Sequence, residues 1–265
     1  MIHWSDARER LTAAASAPKL ALGFDFDGTL AVLASRPEGV GLHPEIHEVL
    51  LRWSTSADPT VRMATITGRA LEDVRGRVPI PGMRLAGNHG LELDDGRLLL
   101  EPPPAYRDQL ELARMHLPAR LAPFPGAWIE DKTWTLTIHL RPVARDLWPR
   151  VYDAMQAFVD EQSEIPGQAA IGLRTGKAVI EVRPPRGATK ADAAAEFLRQ
   201  WEISPSHFWF FGDDDTDEDV FRRFPQGTMV RVQRSETSAA PYFLNDPSDL
   251  ARLLHWMADI RAGGR

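Results

Sequence analysis

The sequence predicts an α/β protein: a doubly wound parallel-sheet core interrupted by a smaller α+β domain, an antiparallel sheet with two helices. Three observations predict it. Short apolar runs rich in Val, Ile and Phe alternate with helical patterns in two separated regions, which is how buried parallel strands and their crossover helices read. Two Pro-rich punctuations, Glu101-Pro102-Pro103-Pro104 and Arg183-Pro184-Pro185-Arg186-Gly187, fence off the middle of the chain as a pair of linkers would. Between them the pattern becomes a clean alternation of apolar and polar residues, the mark of strands with one covered face. The core is therefore expected over 1–103 and 186–265, and the inserted domain over 104–185.

In the core, buried strands are expected at Leu20–Phe24, Val61–Ile66 and Arg84–Ala86, then at Phe208–Phe211 and Thr228–Val232. Helices are expected around Pro44–Trp53, Ala70–Val78, Lys190–Trp201, Asp217–Phe224 and Ser248–Ile260. The insert reads helix, strand, strand, helix, strand, strand: Tyr106–Leu117, Ala127–Lys132, Thr133–Leu140, Asp146–Gln162, Ile171–Thr175 and Ala178–Val182. In its second strand Trp134, Leu136, Ile138 and Leu140 share one face while Thr133, Thr135, Thr137, His139 and Arg141 share the other. The last strand repeats the scheme, with Ala178, Ile180 and Val182 against Lys177, Glu181 and Arg183, and Glu130 and Lys132 also share a face. The apolar face is expected on the helices and the polar face open.

The chain has 265 residues, 43% of them hydrophobic, enough for sizeable cores. A net charge of -6 argues against nonspecific binding to nucleic acid or an anionic membrane. No apolar stretch reaches the ~18 residues of a membrane span, and the N-terminus lacks a signal-peptide layout; a cytoplasmic monomer is expected. With no cysteine, disulfides, thiolate chemistry and a Cys-type zinc site are excluded.

The chemistry sits at strand ends. Asp25-Phe26-Asp27-Gly28-Thr29-Leu30 follows the first strand, and alternation puts Asp25 and Asp27 on one side with Phe26 turned away. One carboxylate, Asp25, can attack phosphorus while Asp27 gives a proton to the leaving oxygen and later activates water. Gly28 frees the backbone to bend and to offer N–H groups to an anion. Thr67-Gly68-Arg69 follows the second strand; Thr67 offers a hydroxyl to the phosphoryl oxygens, alongside the N–H groups of Gly68 and Arg69, and can at the same time be an N-cap for the helix that follows. Lys190 follows Thr189, a helix-capping residue, at the positive end of a helix dipole.

Phe211-Gly212-Asp213-Asp214-Asp215-Thr216-Asp217-Glu218-Asp219 places many carboxylates after a strand, which is costly without a cation. Hard oxygen donors favour Mg2+, with Asp25, Asp213 and the Asp27 carbonyl as ligands. Asp214 and Asp217 would orient bound waters or Lys190.

These four segments resemble the motifs of the haloacid dehalogenase (HAD) superfamily of Mg2+-dependent phosphatases. Ala86-Gly87-Asn88-His89-Gly90-Leu91-Glu92, Glu130-Asp131-Lys132 with His139 and Arg141, and Gly176-Lys177 with Glu181-Val182-Arg183-Pro184 further resemble trehalose-6-phosphate phosphatases. The resemblance runs from about Lys19 to Asp249 and departs at Ala191, where relatives usually carry Gly. It implies an HAD-like core, a phosphoaspartyl intermediate on Asp25, and a mobile cap whose Glu130, Lys132, His139, Arg141, Lys177 and Glu181 contact the sugar, with Asn88 and His89 also at the substrate. The implied substrate is a sugar phosphate, trehalose 6-phosphate first. A sucrose phosphate, a glycosyl-phosphoglycerate or a non-catalytic sugar-phosphate sensor are the alternatives.

Overall fold

The computed structural model describes residues 1–32, 39–56, 59–163, 170–176 and 178–263. In chain order the strands are β1 (Ile2–His3), β2 (Leu20–Phe24), β3 (Val61–Ile66), β4 (Arg84–Gly87), β5 (Glu92–Leu93), β6 (Trp128–Asp131), β7 (Leu136–His139), β8 (Gly172–Gly176), β9 (Val179–Arg183), β10 (Phe208–Gly212), β11 (Thr228–Val232) and β12 (Tyr242–Leu244). The α-helices are α1 (Arg8–Ala15), α2 (Pro44–Thr55), α3 (Leu71–Arg77), α4 (Tyr106–Leu121), α5 (Trp148–Ser163), α6 (Lys190–Trp201), α7 (Glu218–Arg223) and α8 (Pro247–Gly263). None of the described helices is long and apolar enough to cross a membrane.

The chain divides into two compact units, Met1–Leu99 with Ala188–Arg265, and Leu100–Gly187. In the first, the sheet order is β1-β12-β11-β10-β2-β3-β4-β5, parallel throughout except for β5, which turns back on β4. From β2 the chain winds outward through β3 and β4, then returns to β10 on the other side of β2. The carboxyl ends of β2 and β10 therefore flank a topological switch point, where open α/β sheets bind ligands.

Alternation on β2 explains the two layers. Leu20, Leu22 and Phe24 pack with residues of α1, α2, α3 and α8, whereas Ala21 faces a core built with α6 and α7. Phe24 stacks on Phe211 of β10 at 5.2 Å and 10°, and each fully buried Phe contributes roughly 2–3 kcal/mol by area. Phe26 is fully buried in the first layer, so the side chains on either side of it, Asp25 and Asp27, are turned toward the sheet end.

Within this unit the chain leaves and returns at one place. The Leu99 N–H donates to the Leu91 carbonyl at 2.8 Å, and the α-carbon of Gly90 lies so close to the Thr189 carbonyl that a side chain there would come within 2.5 Å of it.

The second unit is a four-stranded antiparallel sheet, β6-β7-β9-β8. Leu136, Ile138, Leu140, Ile180 and Val182 pack with α4 and α5, as the alternation predicts. The hairpin between β6 and β7 differs from expectation. Thr133 adopts φ 68°, Asp131 Oδ1 accepts its N–H at 2.8 Å, and Lys132 N–H donates to the Thr135 carbonyl at 2.9 Å. The turn thus consumes Thr133 and Trp134, and β7 starts at Leu136. Trp134 instead packs beneath the Arg107 guanidinium, 4.4 Å from its ring centre.

Elements that the periodicity does not predict include β1 and β12 at one edge of the sheet and β5 at the other. β1 pairs with β12, and the N-terminus is fastened to α8: Asp249 accepts from Trp4 Nε1 at 2.8 Å, His3 Nε2 at 2.7 Å and the Asn245 N–H at 3.0 Å. Asp249→Ala strands these donors and is expected to lower stability by about 1–3 kcal/mol, read as a fall in melting temperature.

Candidate active site

The site of the first unit is organised by β2, β3, β10 and the start of α6. Thr189 caps α6 in a capping box: its N–H donates to Asp192 Oδ2 at 2.9 Å while its hydroxyl oxygen accepts the Asp192 N–H. This fixes Lys190 as the first helical residue, and its ammonium, buried like the rest of the side chain, donates to Asp25 Oδ1 at 2.6 Å and to Asp217 Oδ1 at 2.8 Å. Asp217 is fully buried, and its second oxygen accepts the N–H groups of Asp213 and Asp214, both at 3.0 Å. A side chain on Gly212 would come within 2.3 Å of the Asp217 carboxyl carbon, which explains why the strand ends in glycine.

Asp25, Asp213 and Asp217 bring carboxylate oxygens within 4.8 Å of one another. Two like charges 4 Å apart repel by roughly 4 kcal/mol at an effective dielectric of 20, and one ammonium does not offset three carboxylates. Burial accordingly pushes the Asp25 carboxyl well above the usual range; Lys190 pulls it back, and Asp217 and Asp213 add to the rise. Burial, then Asp217, pushes Asp213 up to about 7. Lys190 is driven down by burial but held above its ordinary value by Asp217 and Asp25.

The donor set fits a hard divalent cation. Asp213 Oδ1 is buried without a hydrogen-bond partner, a cost that a cation would remove. Asp217 is less suited, because Lys190 and two backbone N–H groups already occupy its oxygens. Asp214 neither touches Lys190 nor joins this cluster: its Oδ1 accepts the Asp215 N–H at 2.8 Å. Orienting the lysine therefore falls to Asp217.

Asp27 faces a different partner from Asp25. Arg69 grips it with two parallel hydrogen bonds, Nε to Oδ2 and Nη2 to Oδ1, both 2.7 Å, and also holds Asp73 at 2.7 Å. The Asp27 side chain is thus outside the carboxylate cluster. Gly28 also differs from expectation: its N–H donates to the Ala31 carbonyl at 2.8 Å and is not open to an anion. Its φ of 84° and the Asp213 carboxylate, 2.3 Å from where a Cβ would stand, give the reason for glycine.

Thr67 is not an N-cap. α3 starts at Leu71 after Ala70, with no side-chain cap, and Thr67 Oγ1 accepts the Arg69 N–H at 3.2 Å, which leaves its hydroxyl proton to donate elsewhere. A Cβ on Gly68 would stand 2.5 Å from the His89 ring. Asn88 is buried and donates to Glu92 Oε2 at 2.6 Å, which also accepts the Leu71 N–H at 3.3 Å. Asn88 therefore braces the loop at the start of α3.

In the second unit, register aligns Glu130, Thr137, Glu181 and Arg174 in one row across β6, β7, β9 and β8. His139 Nε2 donates to Glu130 Oε2 at 2.8 Å, and Lys132 Nζ lies 3.9 Å from both Glu130 and Glu181. The middle of this polar face is less open than the alternation predicts: Lys132, Thr135, Thr137 and Glu181 are buried, and Lys132 reaches toward carboxylates on both sides of β7, whereas Glu130 and His139 stay partly exposed. Arg141 is exposed beyond the end of β7, and Lys177 lies outside the described residues. Arg174 is missed by the sequence reading, although alternation against the inward Leu173 is the signal that points to it.

The fold is shared with a phosphatase of the HAD superfamily from Bacteroides thetaiotaomicron, which superposes with a TM-score of 0.58 over 91% of this chain and 96% of its own, at 18% identity. The chain belongs to the trehalose-phosphatase family, whose pattern matches residues 23–248. A trehalose-phosphate phosphatase of Mycobacterium tuberculosis is 31% identical over 90% of this chain, which spans 61% of that relative's length. The C-terminal domain of C. albicans trehalose-6-phosphate phosphatase has the same fold, with a TM-score of 0.75 at 21% identity over 95% of this chain and 96% of that one. The family implies a divalent metal, for which the acidic cluster provides donors.

A pH dependence follows. In metal-free protein the folded state keeps the Asp213 proton up to about 7, whereas the unfolded chain loses it near the ordinary 3.8. Between these values the folded state binds more protons, so stability falls as pH rises through the window. The melting temperature in chelator should decline with pH more steeply for wild type than for Asp213→Asn, and a divalent salt should raise it more above about pH 7 than below.

Proposed function

We propose that the protein hydrolyses trehalose 6-phosphate to trehalose and inorganic phosphate, with Mg2+ as its divalent ion. The observation that carries this reading is the buried Asp25–Lys190–Asp217 array beside the unpartnered Asp213 oxygen, in a chain of the trehalose-phosphatase family.

Lys190 holds one Asp25 oxygen, so the other attacks phosphorus. The Asp25–phosphorus bond forms as the bond to the sugar oxygen breaks, and Asp27 gives that oxygen its proton. Water then loses a proton to Asp27 and attacks the phosphoaspartate, which releases phosphate and restores the Asp25 carboxylate. Because Arg69 engages both Asp27 oxygens, proton transfer requires Arg69 to yield one of them, and an arriving phosphate dianion is a competing partner for the guanidinium. Thr67 donates its hydroxyl proton to a phosphoryl oxygen. Mg2+ held by Asp25, Asp213 and the Asp27 carbonyl would screen the carboxylate from the dianion it attacks.

The polar face of the second unit reads the sugar. Glu130, Lys132, His139 and Glu181, with Arg141 and Lys177, supply charged donors and acceptors to hydroxyls. A hydroxyl missing from the wrong sugar leaves a desolvated charge without its partner, which is the source of selectivity.

Asp25→Asn should lower phosphate release from trehalose 6-phosphate in Mg2+ by at least about a thousandfold with the melting curve still cooperative; activity near wild type would remove Asp25 as nucleophile. Glu130→Ala should lower kcat/KM for trehalose 6-phosphate by about ten- to a hundredfold and that for a small aryl phosphate far less. Equal losses would argue against a sugar contact. Turnover across a panel of sugar phosphates tests the substrate itself, and a preference for sucrose phosphate would reject trehalose 6-phosphate.

A further inference from the structure

Trp128 is among the few large apolar side chains that stand exposed, 38% accessible. It lies on β6 two residues from Glu130, hence on the same face of the sheet, and directly across from His139 on β7. The two rings are stacked, their centres 3.9 Å apart and their planes 6° from parallel. With the imidazole covering one side of the indole, the exposed area belongs to its opposite face and rim. The same imidazole donates to Glu130, and Lys132 approaches that carboxylate from the neighbouring position.

A flat apolar surface bordered by a carboxylate and an ammonium has a definite chemical complement. A pyranose carries C–H groups on the faces of its ring and hydroxyls around its rim, so it can lie on an aromatic plane while its hydroxyls reach polar partners at the edge. The large, rigid indole suits such a contact because few rotamers are lost when it is covered.

We propose that the Trp128–His139 stack is a platform for one pyranose ring of the substrate, with Glu130 and Lys132 bonding the hydroxyls of that ring. This rests on reading the second unit as the sugar-recognising part. His139 has two tasks in this arrangement: it backs the indole and it orients Glu130. Trp128 is a binding residue with no part in the phosphoryl chemistry.

The test is steady-state kinetics with trehalose 6-phosphate on wild type, Trp128→Ala and Trp128→Phe, with melting curves for each. Trp128→Ala should raise KM by up to about tenfold with kcat within about twofold, and Trp128→Phe, which keeps a flat ring, should recover most of the loss. An unchanged KM beside a lowered melting temperature would mean that the stack only fastens the edge strand and would overturn the proposal, as would an unchanged KM with no stability change. If wild type prefers another pyranose phosphate, the substrate reading fails while the platform is tested with that compound, for which the same rise in KM is expected. If Trp128→Ala does not fold, Trp128→Phe decides through binding of trehalose alone. A shift in tryptophan emission on adding trehalose to wild type that is lost in the Phe variant supports the platform; the same shift in both overturns it.

Discussion

A single buried ammonium organises the unit built on the eight-stranded sheet. Lys190 cannot be taken from water without partners, and the two it finds, Asp25 and Asp217, come from opposite flanks of the switch point. Removing one member of such a buried arrangement costs about 3–5 kcal/mol, because the charges left behind have neither water nor counterion. The bond to Asp217 also extends the effect: through its other oxygen, Asp217 shapes the loop that carries Asp213. The capping box, the glycine at the end of β10 and the Asp213 loop thus answer to one electrostatic requirement.

That requirement is met only in part by the protein. Lys190 is shared between two carboxylates, and the third, Asp213, keeps a buried oxygen with nothing to bond. Stability is given up at the point where a cation would bind, so the arrangement is tense without one. Asp27 stands apart, charge-balanced by Arg69 and half open to solvent. Two carboxylates a single residue apart are therefore given separate environments, one buried and crowded by like charge, the other paired and accessible, as the proposed division between attack and proton transfer requires.

Much of this was legible in the sequence. The bounds of β2, β3, β11 and α6 follow from apolar runs and capping signals, because burial on both faces leaves a continuous apolar run. The convergence of Asp25, Asp213 and Lys190 follows from each standing at the end or start of such an element. The short strands β1, β5 and β12 were not legible, since two or three residues carry no period; their partners specify them, as Asp249 does for the N-terminus. Backbone hydrogen bonds were equally hidden: nothing in Gly28 announces that its N–H serves Ala31, nor in Thr67 that it closes a turn with Arg69 instead of capping a helix. The β6–β7 turn was missed because Thr133, in the left-handed region, carries no glycine or asparagine signal. Arg174 is legible by parity alone, since it stands on the face opposite Leu173 on β8.

Leu99 and Thr189 both abut the pair Gly90–Leu91, so this unit's chain is interrupted at what is structurally one point. The long excursion between them leaves every strand of the eight-stranded sheet in place, and joining the two flanks would ask only for a short bridge. Loop-closure entropy is then nearly indifferent to what the excursion contains. Such a scaffold can exchange one inserted module for another without renegotiating its own folding, which would let the proposed phosphoryl-transfer centre be fitted with new recognition surfaces.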